Sequence, residues 1–113
     1  MTVKELCGAL SLEVLAGGDG LDAPVSGCYV GDLLSWVMGR AKGGSAWITV
    51  MGNVNAIAVA KLVDLSCILL CEQAPLDDAA KEQADANGVP VLAGAQPAYA
   101  LAVQVAALLG DRA

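Results

Sequence analysis

Ala46–Glu72 reads AWITVMGNVNAIAVAKLVDLSCILLCE. Two β-rich runs, Ala46–Met51 and Ser66–Cys71, are apolar nearly throughout instead of alternating. That pattern suits strands buried on both faces, as in parallel sheets covered by helices. The segment between them, Asn53–Asp64, has the length of a right-handed βαβ crossover. Trp47, Ile48, Val50, Ile68 and Leu70 are therefore expected on central strands. The polar turn Gly52-Asn53-Val54-Asn55 falls at the carboxyl end of the first strand, where open α/β sheets place their ligands.

Working outward, Thr2-Val3-Lys4-Glu5 is a capping box for a helix to about Leu10. Leu12–Leu15 reads as a short strand closed by the turn Gly17-Gly18-Asp19-Gly20. A second strand follows over Val25–Val30. Asp32 has the chemistry of an N-cap. After it, Leu33, Leu34, Val37 and Ala41 share one face of a helix stopped by Gly43-Gly44. Downstream, the spacing predicts a helix over Asp78–Ala86, a strand over Val89–Leu92, and a last helix opened by Pro97 and running to Leu109. The order is α-β-β-α-β-α-β-α-β-α. It predicts a three-layer α/β/α fold with a small, largely parallel central sheet, in a single domain spanning residues 1–113.

Composition narrows the chemistry. The 113 residues carry a formal charge of −6 and no histidine, which excludes Ser-His-Asp and Cys-His catalysis and removes the usual zinc ligand. No basic cluster marks a nucleic-acid or anionic-membrane partner. No signal peptide is visible, and Ala98–Leu109 is too short to cross about 30 Å of hydrocarbon, so the cytoplasm is the expected location and no membrane partner is expected. Of the four cysteines, Cys67 and Cys71 lie on one strand, about 13 Å apart. They can share neither a zinc ion nor a disulfide. We expect buried thiols, no metal and no cofactor. Asp77-Asp78 serves the helix dipole. Gly52-Asn53-Val54-Asn55 lacks the lysine of a P-loop and the spacing of a dinucleotide fingerprint, and Asn53 suits an N-cap.

The last helix, Ala98–Leu109, has only Gln104 and the Tyr99 hydroxyl as polar side-chain groups. Such a helix is seated in the core or in a subunit interface. Trp36, Leu101 and Val105 are the candidate interface residues of a homodimer.

Four further segments carry a family resemblance: Val14-Leu15-Ala16-Gly17-Gly18, Val25–Asp32 (VSGCYVGD), Ala46–Gly52 (AWITVMG) and Gly88-Val89-Pro90-Val91-Leu92. In order and spacing the chain resembles the DRTGG domains. These accompany some phosphotransacetylases and CBS-domain pyrophosphatases and are similar to the N-terminal domain of HPr kinase/phosphorylase. The resemblance implies a fold of that kind and a non-catalytic regulatory or assembly module. Stand-alone variants of the family imply a protein partner from a hydrogenase or other redox-enzyme system. An iron–sulfur role, also attached to such variants, conflicts with the cysteine spacing. The alternative function is a sensor for a small ligand, a nucleotide or phosphorylated metabolite. Its site would be formed by Gly52, Asn53 and Asn55 with Cys71, Glu72 and Gln73. The signature itself is altered: Asn53-Val54 stands in place of Asp-Arg, and Cys71-Glu72-Gln73 in place of Thr-Gly-Gly.

Overall fold

The computed structural model describes residues 1–110. The chain runs α1 (Val3–Leu10), β1 (Glu13–Ala16), a 3₁₀ turn (Gly18–Gly20), β2 (Gly27–Val30), α2 (Leu34–Arg40), β3 (Ser45–Thr49), α3 (Val54–Val63), β4 (Cys67–Leu70), α4 (Asp78–Asn87), β5 (Val91–Ala93) and α5 (Ala98–Leu109). The strands form one sheet in the order β1-β5-β4-β3-β2. β2 to β5 are mutually parallel, and β1 closes the sheet antiparallel to β5. This is the expected three-layer α/β/α architecture.

Each crossover from β2 to β5 steps to the adjacent strand in the same direction. Right-handed crossovers of that kind put their helices on a single face. Accordingly Val37 of α2, Ile57 and Ala60 of α3, and Ala80 and Ala84 of α4 share one buried cluster with Trp47, Ile68, Leu70 and Val91. The alternate strand residues Ala46, Ile48, Cys67, Leu69 and Leu92 point the other way, into a second cluster with Val3 and Leu6 of α1 and Leu101 and Val105 of α5. Every residue of β3 and β4 is buried, including the polar Ser45 and Thr49 of β3.

Local chemistry sets the helix starts. Thr2 and Glu5 form the reciprocal capping box of α1. The Asn53 side chain accepts from the Ala56 amide at 2.9 Å and caps α3. Asp32 departs from the expectation. Helix α2 begins later, at Leu34, with Leu33 at the cap position and no side-chain cap. Instead the Asp32 carboxylate accepts from the Thr49 hydroxyl at 2.7 Å and from the Val50 amide at 3.1 Å. A buried hydroxyl and a strand-end amide need an acceptor, and that tertiary need outweighs the local cap. Leu33 is consequently exposed rather than on the inward face. Val50 lies beyond the end of β3, and is 43% exposed, because the strand stops at Thr49.

The expected interface at Leu101 and Val105 is overturned. Both side chains have 0% exposure, because the α5 face carrying them packs on β2 and β3 and against α1. The outward side of α5 carries Tyr99 and Val103 instead. No helix among the described residues is long and apolar enough to cross a membrane.

Candidate functional site

Where β4 hands its helix to one face and β5 to the other, the strand ends diverge. Such a crevice is where open α/β sheets hold ligands. The β3–α3 and β4–α4 loops, which carry most of the candidate ligand residues, meet each other one strand over, beyond the ends of β3 and β4. The Asp77 amide donates to the Gly52 carbonyl at 2.8 Å. A Cβ on Gly52 would lie 2.0 Å from the Pro75 carbonyl oxygen. Glycine at 52 thus serves a backbone contact between two loops and leaves no ligand space there.

The remaining candidates divide by role. Asn53 is committed as the cap of α3, and Asn55 is exposed on the first turn of that helix. Cys71 is buried, with its Sγ 3.7 Å from the Thr49 carbonyl oxygen. Glu72 and Gln73 are exposed, and both adopt φ of 54°. Two consecutive non-glycine residues in the left-handed region carry strain of about 1–2 kcal/mol each. The Thr-Gly-Gly implied by the family resemblance puts glycine at these two positions, and glycine adopts this conformation without penalty. The strained turn is held by Glu72 N–H donating to the Gln96 carbonyl (2.9 Å) and Gln73 N–H donating to the Gly94 carbonyl (3.0 Å). In return the Gly94 amide donates to the Leu70 carbonyl at 3.0 Å.

On the β1 side of this turn lies a cleft of about 360 Å³. Leu15, Ala93 and Ala95 form apolar walls with Ala74 and Pro75, and Glu13 and Gln73 are the polar side chains at its edge. Of its residues only Gln73 belongs to the set expected from sequence. Glu13 gave no signal, since it arrives through the antiparallel register Glu13↔Ala93 from 80 positions away along the chain. A larger groove, about 690 Å³, runs between α3 and α4 and is lined by Asn55, Leu62, Gln83 and Asn87 among others. It is formed by the outer surfaces of two helices and holds one residue of the expected set, Asn55.

Cys28, Ala46 and Cys67 lie in register across three strands. Burial pushes the Cys67 thiol far above the usual cysteine range, and the nearby Cys28 and Cys7 add to that. Burial also raises Cys71 and Cys7. A thiol held protonated is a poor nucleophile and a poor metal ligand. No group of three or more cysteines and carboxylates among the described residues is placed to hold a metal ion.

These shifts fix a pH dependence. A thiol whose pKa is raised in the fold stays protonated there, whereas the unfolded chain releases the proton above about pH 8.5. Its stabilising contribution is therefore complete below that pH and is lost as pH rises. Urea midpoints should fall between pH 8 and pH 10, and Cys67→Ala should fall less over the same interval. Equal losses in the two proteins would contradict the assignment.

No protein-family model and no curated protein matches the sequence. Among solved structures, the chain is similar to the CBS and DRTGG domains of the regulatory region of Clostridium perfringens pyrophosphatase, complexed with the activator diadenosine tetraphosphate. The TM-score is 0.71 at 12% identity, over 90% of this chain and 44% of that one. The chain thus spans less than half the length of the structure it matches. At this identity the likeness establishes the fold.

Proposed function

We propose that this domain is a non-catalytic regulatory or assembly module that works as a homodimer. The observation that carries the reading is an apolar patch at the carboxyl ends of β2 and β3. There Val30, Leu33, Trp36, Val50 and Val54 are all exposed. Five large apolar side chains gathered at one end of a sheet mark an association surface. The occupant we assign to it is a second copy. The patch is bordered by both signs of charge: Arg40 stacks on Trp36, 3.8 Å from the ring centroid, and Asp32 sits on the adjoining loop. A twofold pairing sets such a patch against itself. A protein partner from a redox-enzyme system, as the family resemblance implies, would compete for the same patch. Absence of catalysis is supported by the lack of histidine and by the burial of Cys67 and Cys71, which pushes both thiols up. Light scattering at micromolar concentration should give about twice the 11.3 kDa chain mass. A mass near 11.3 kDa would remove the dimer.

A second reading, a small-ligand sensor, is favoured by the cleft beside Gln73. It lies at the point of the sheet where ligands bind in open α/β folds. The solved neighbour, a regulatory region, was determined with a nucleotide activator bound. A thermal-shift series separates the readings, because a ligand at 100 times its dissociation constant adds about 2.7 kcal/mol.

A further inference from the structure

We propose that the outer edge of β2 is a docking site for an extended acidic segment of a partner protein, which adds a strand to the five-stranded sheet. β2 ends the sheet, and among the described residues it pairs with β3 alone. None of its four residues is buried, whereas all of β3 is. The two edges of the sheet differ. β1 carries the charged Glu13 and a register shift between Val14 and Ala16, and both devices discourage further pairing. β2 reads Gly27-Cys28-Tyr29-Val30, with no charge, no proline and an unbroken register. A groove of about 380 Å³ lies beside it. Cys28 and Tyr29 both line this groove, although they pack against buried clusters on opposite faces of the sheet. The groove therefore opens on the strand edge itself. Arg40, which ends α2, and Lys42 also line it. Both are exposed, and among the described residues neither forms an ion pair. Arg40 stacks on the Trp36 ring, which occupies the flat face of the guanidinium and leaves its in-plane N–H donors for a carboxylate. Among the described residues no acidic side chain lines the groove. In a chain of charge −6 this edge is a local positive site.

The charge selects the occupant. A second copy of β2 would bring a second Arg40 and Lys42 to an edge with no acid to meet them, whereas an acidic segment meets both. Its pattern follows from the two-residue period of a strand. Side chains on the Tyr29 face meet Arg40 and Lys42. Those on the other face lie beside Val30, which is 48% exposed. An alternation of Glu or Asp with Val or Ile suits both faces. The groove lies toward the amino ends of β2 and β3, with Ser26 and Ser45 in its lining. It goes beyond the homodimer reading, which uses the carboxyl ends of the same strands, and does not depend on it.

The experiment titrates the full chain with the end-blocked peptide Glu-Val-Glu-Val-Glu and follows amide NMR shifts. The amides of Gly27, Tyr29 and Val30 should move saturably, with a dissociation constant on the order of 0.1–1 mM for a segment this short. Nuclear Overhauser contacts should join the peptide backbone to that of β2. In the double variant Arg40→Gln, Lys42→Gln, binding should weaken about tenfold, the loss expected for two exposed ion pairs. Both residues are exposed, so the variant keeps the fold, and an unchanged spectrum away from β2 verifies this. The rearranged peptide Glu-Glu-Glu-Val-Val keeps the charge and loses the alternation, and it should bind at least severalfold more weakly. No shift with the alternating peptide, or equal binding by the double variant, overturns the proposal. Equal binding of the rearranged peptide reduces the contact to charge alone and overturns strand addition. Contacts between the β2 strands of two copies, in place of peptide contacts, give the edge to a second copy and overturn it as well. The mass of the same samples by light scattering reads the homodimer separately, so either reading can fail without the other.

Discussion

Val105→Asp is expected to abolish cooperative folding. Val105 is fully buried on the inward face of α5, in a cluster with Ile48, Leu69, Leu92 and Leu101. The side chains of its cluster are hydrophobic and offer a carboxylate no charge partner. It must either lose its hydration or take up a proton, and each course costs several kcal/mol. The lost valine packing adds about 1–3 kcal/mol. Against a total stability of about 5–15 kcal/mol, the sum consumes most or all of the fold. The matched control lies two positions away. Val103 is 51% exposed on the opposite side of the same helix, and Val103→Asp should change stability by no more than about 0.5 kcal/mol. Urea unfolding followed by circular dichroism reads both. A Val105→Asp protein with a wild-type transition would place that face of α5 outside the core.

Gly52→Ala has the second-largest expected effect, a loss of about 3 kcal/mol or more. The added Cβ would sit 2.0 Å from the Pro75 carbonyl oxygen and 3.0 Å from the Leu76 Cα. Both are backbone atoms, so no rotamer change relieves the contact and the loops must separate. Overpacking of this kind costs about 1–3 kcal/mol. The hydrogen bond from Asp77 N–H to the Gly52 carbonyl is lost with it, for about 1 kcal/mol. The melting temperature should drop by roughly 10 °C or more. An unchanged melting temperature would mean that the two loops are not clasped as described. The variant also bears on the cleft, because the loop that carries Pro75 forms one of its walls.

The sequence made some elements plain because their physics is local or repeated. The runs 46–51 and 66–71 are apolar except at Thr49 and Ser66, a pattern that suits strands covered on both faces. Capping by Thr2, Glu5 and Asn53 depends on neighbours three residues away and was equally legible. Asp32 was not, because its residue type suits a cap and a tertiary acceptor alike, and only the fold brings the Thr49 hydroxyl to it. The inward face of α5 was also hidden. A helix with one long polar side chain has no polar stripe to mark its outside, so Val105 and Val103 look alike in sequence while one is buried and the other half exposed. The strain at Glu72-Gln73 was invisible for the opposite reason, since glycine, the usual marker of positive φ, is absent there. Glu13 reached the cleft through an antiparallel pairing that no periodicity near residue 13 announces.

The central claim, association of two copies through the patch around Trp36, is tested most directly by sedimentation equilibrium of wild type and Trp36→Glu. Trp36 is 51% exposed, and its ring contact is with Arg40 of its own helix. The variant should therefore fold, which circular dichroism and urea unfolding verify. A wild-type dimer and a folded Trp36→Glu monomer of 11.3 kDa are expected. A wild-type monomer, or a Trp36→Glu dimer as tight as wild type, would contradict it.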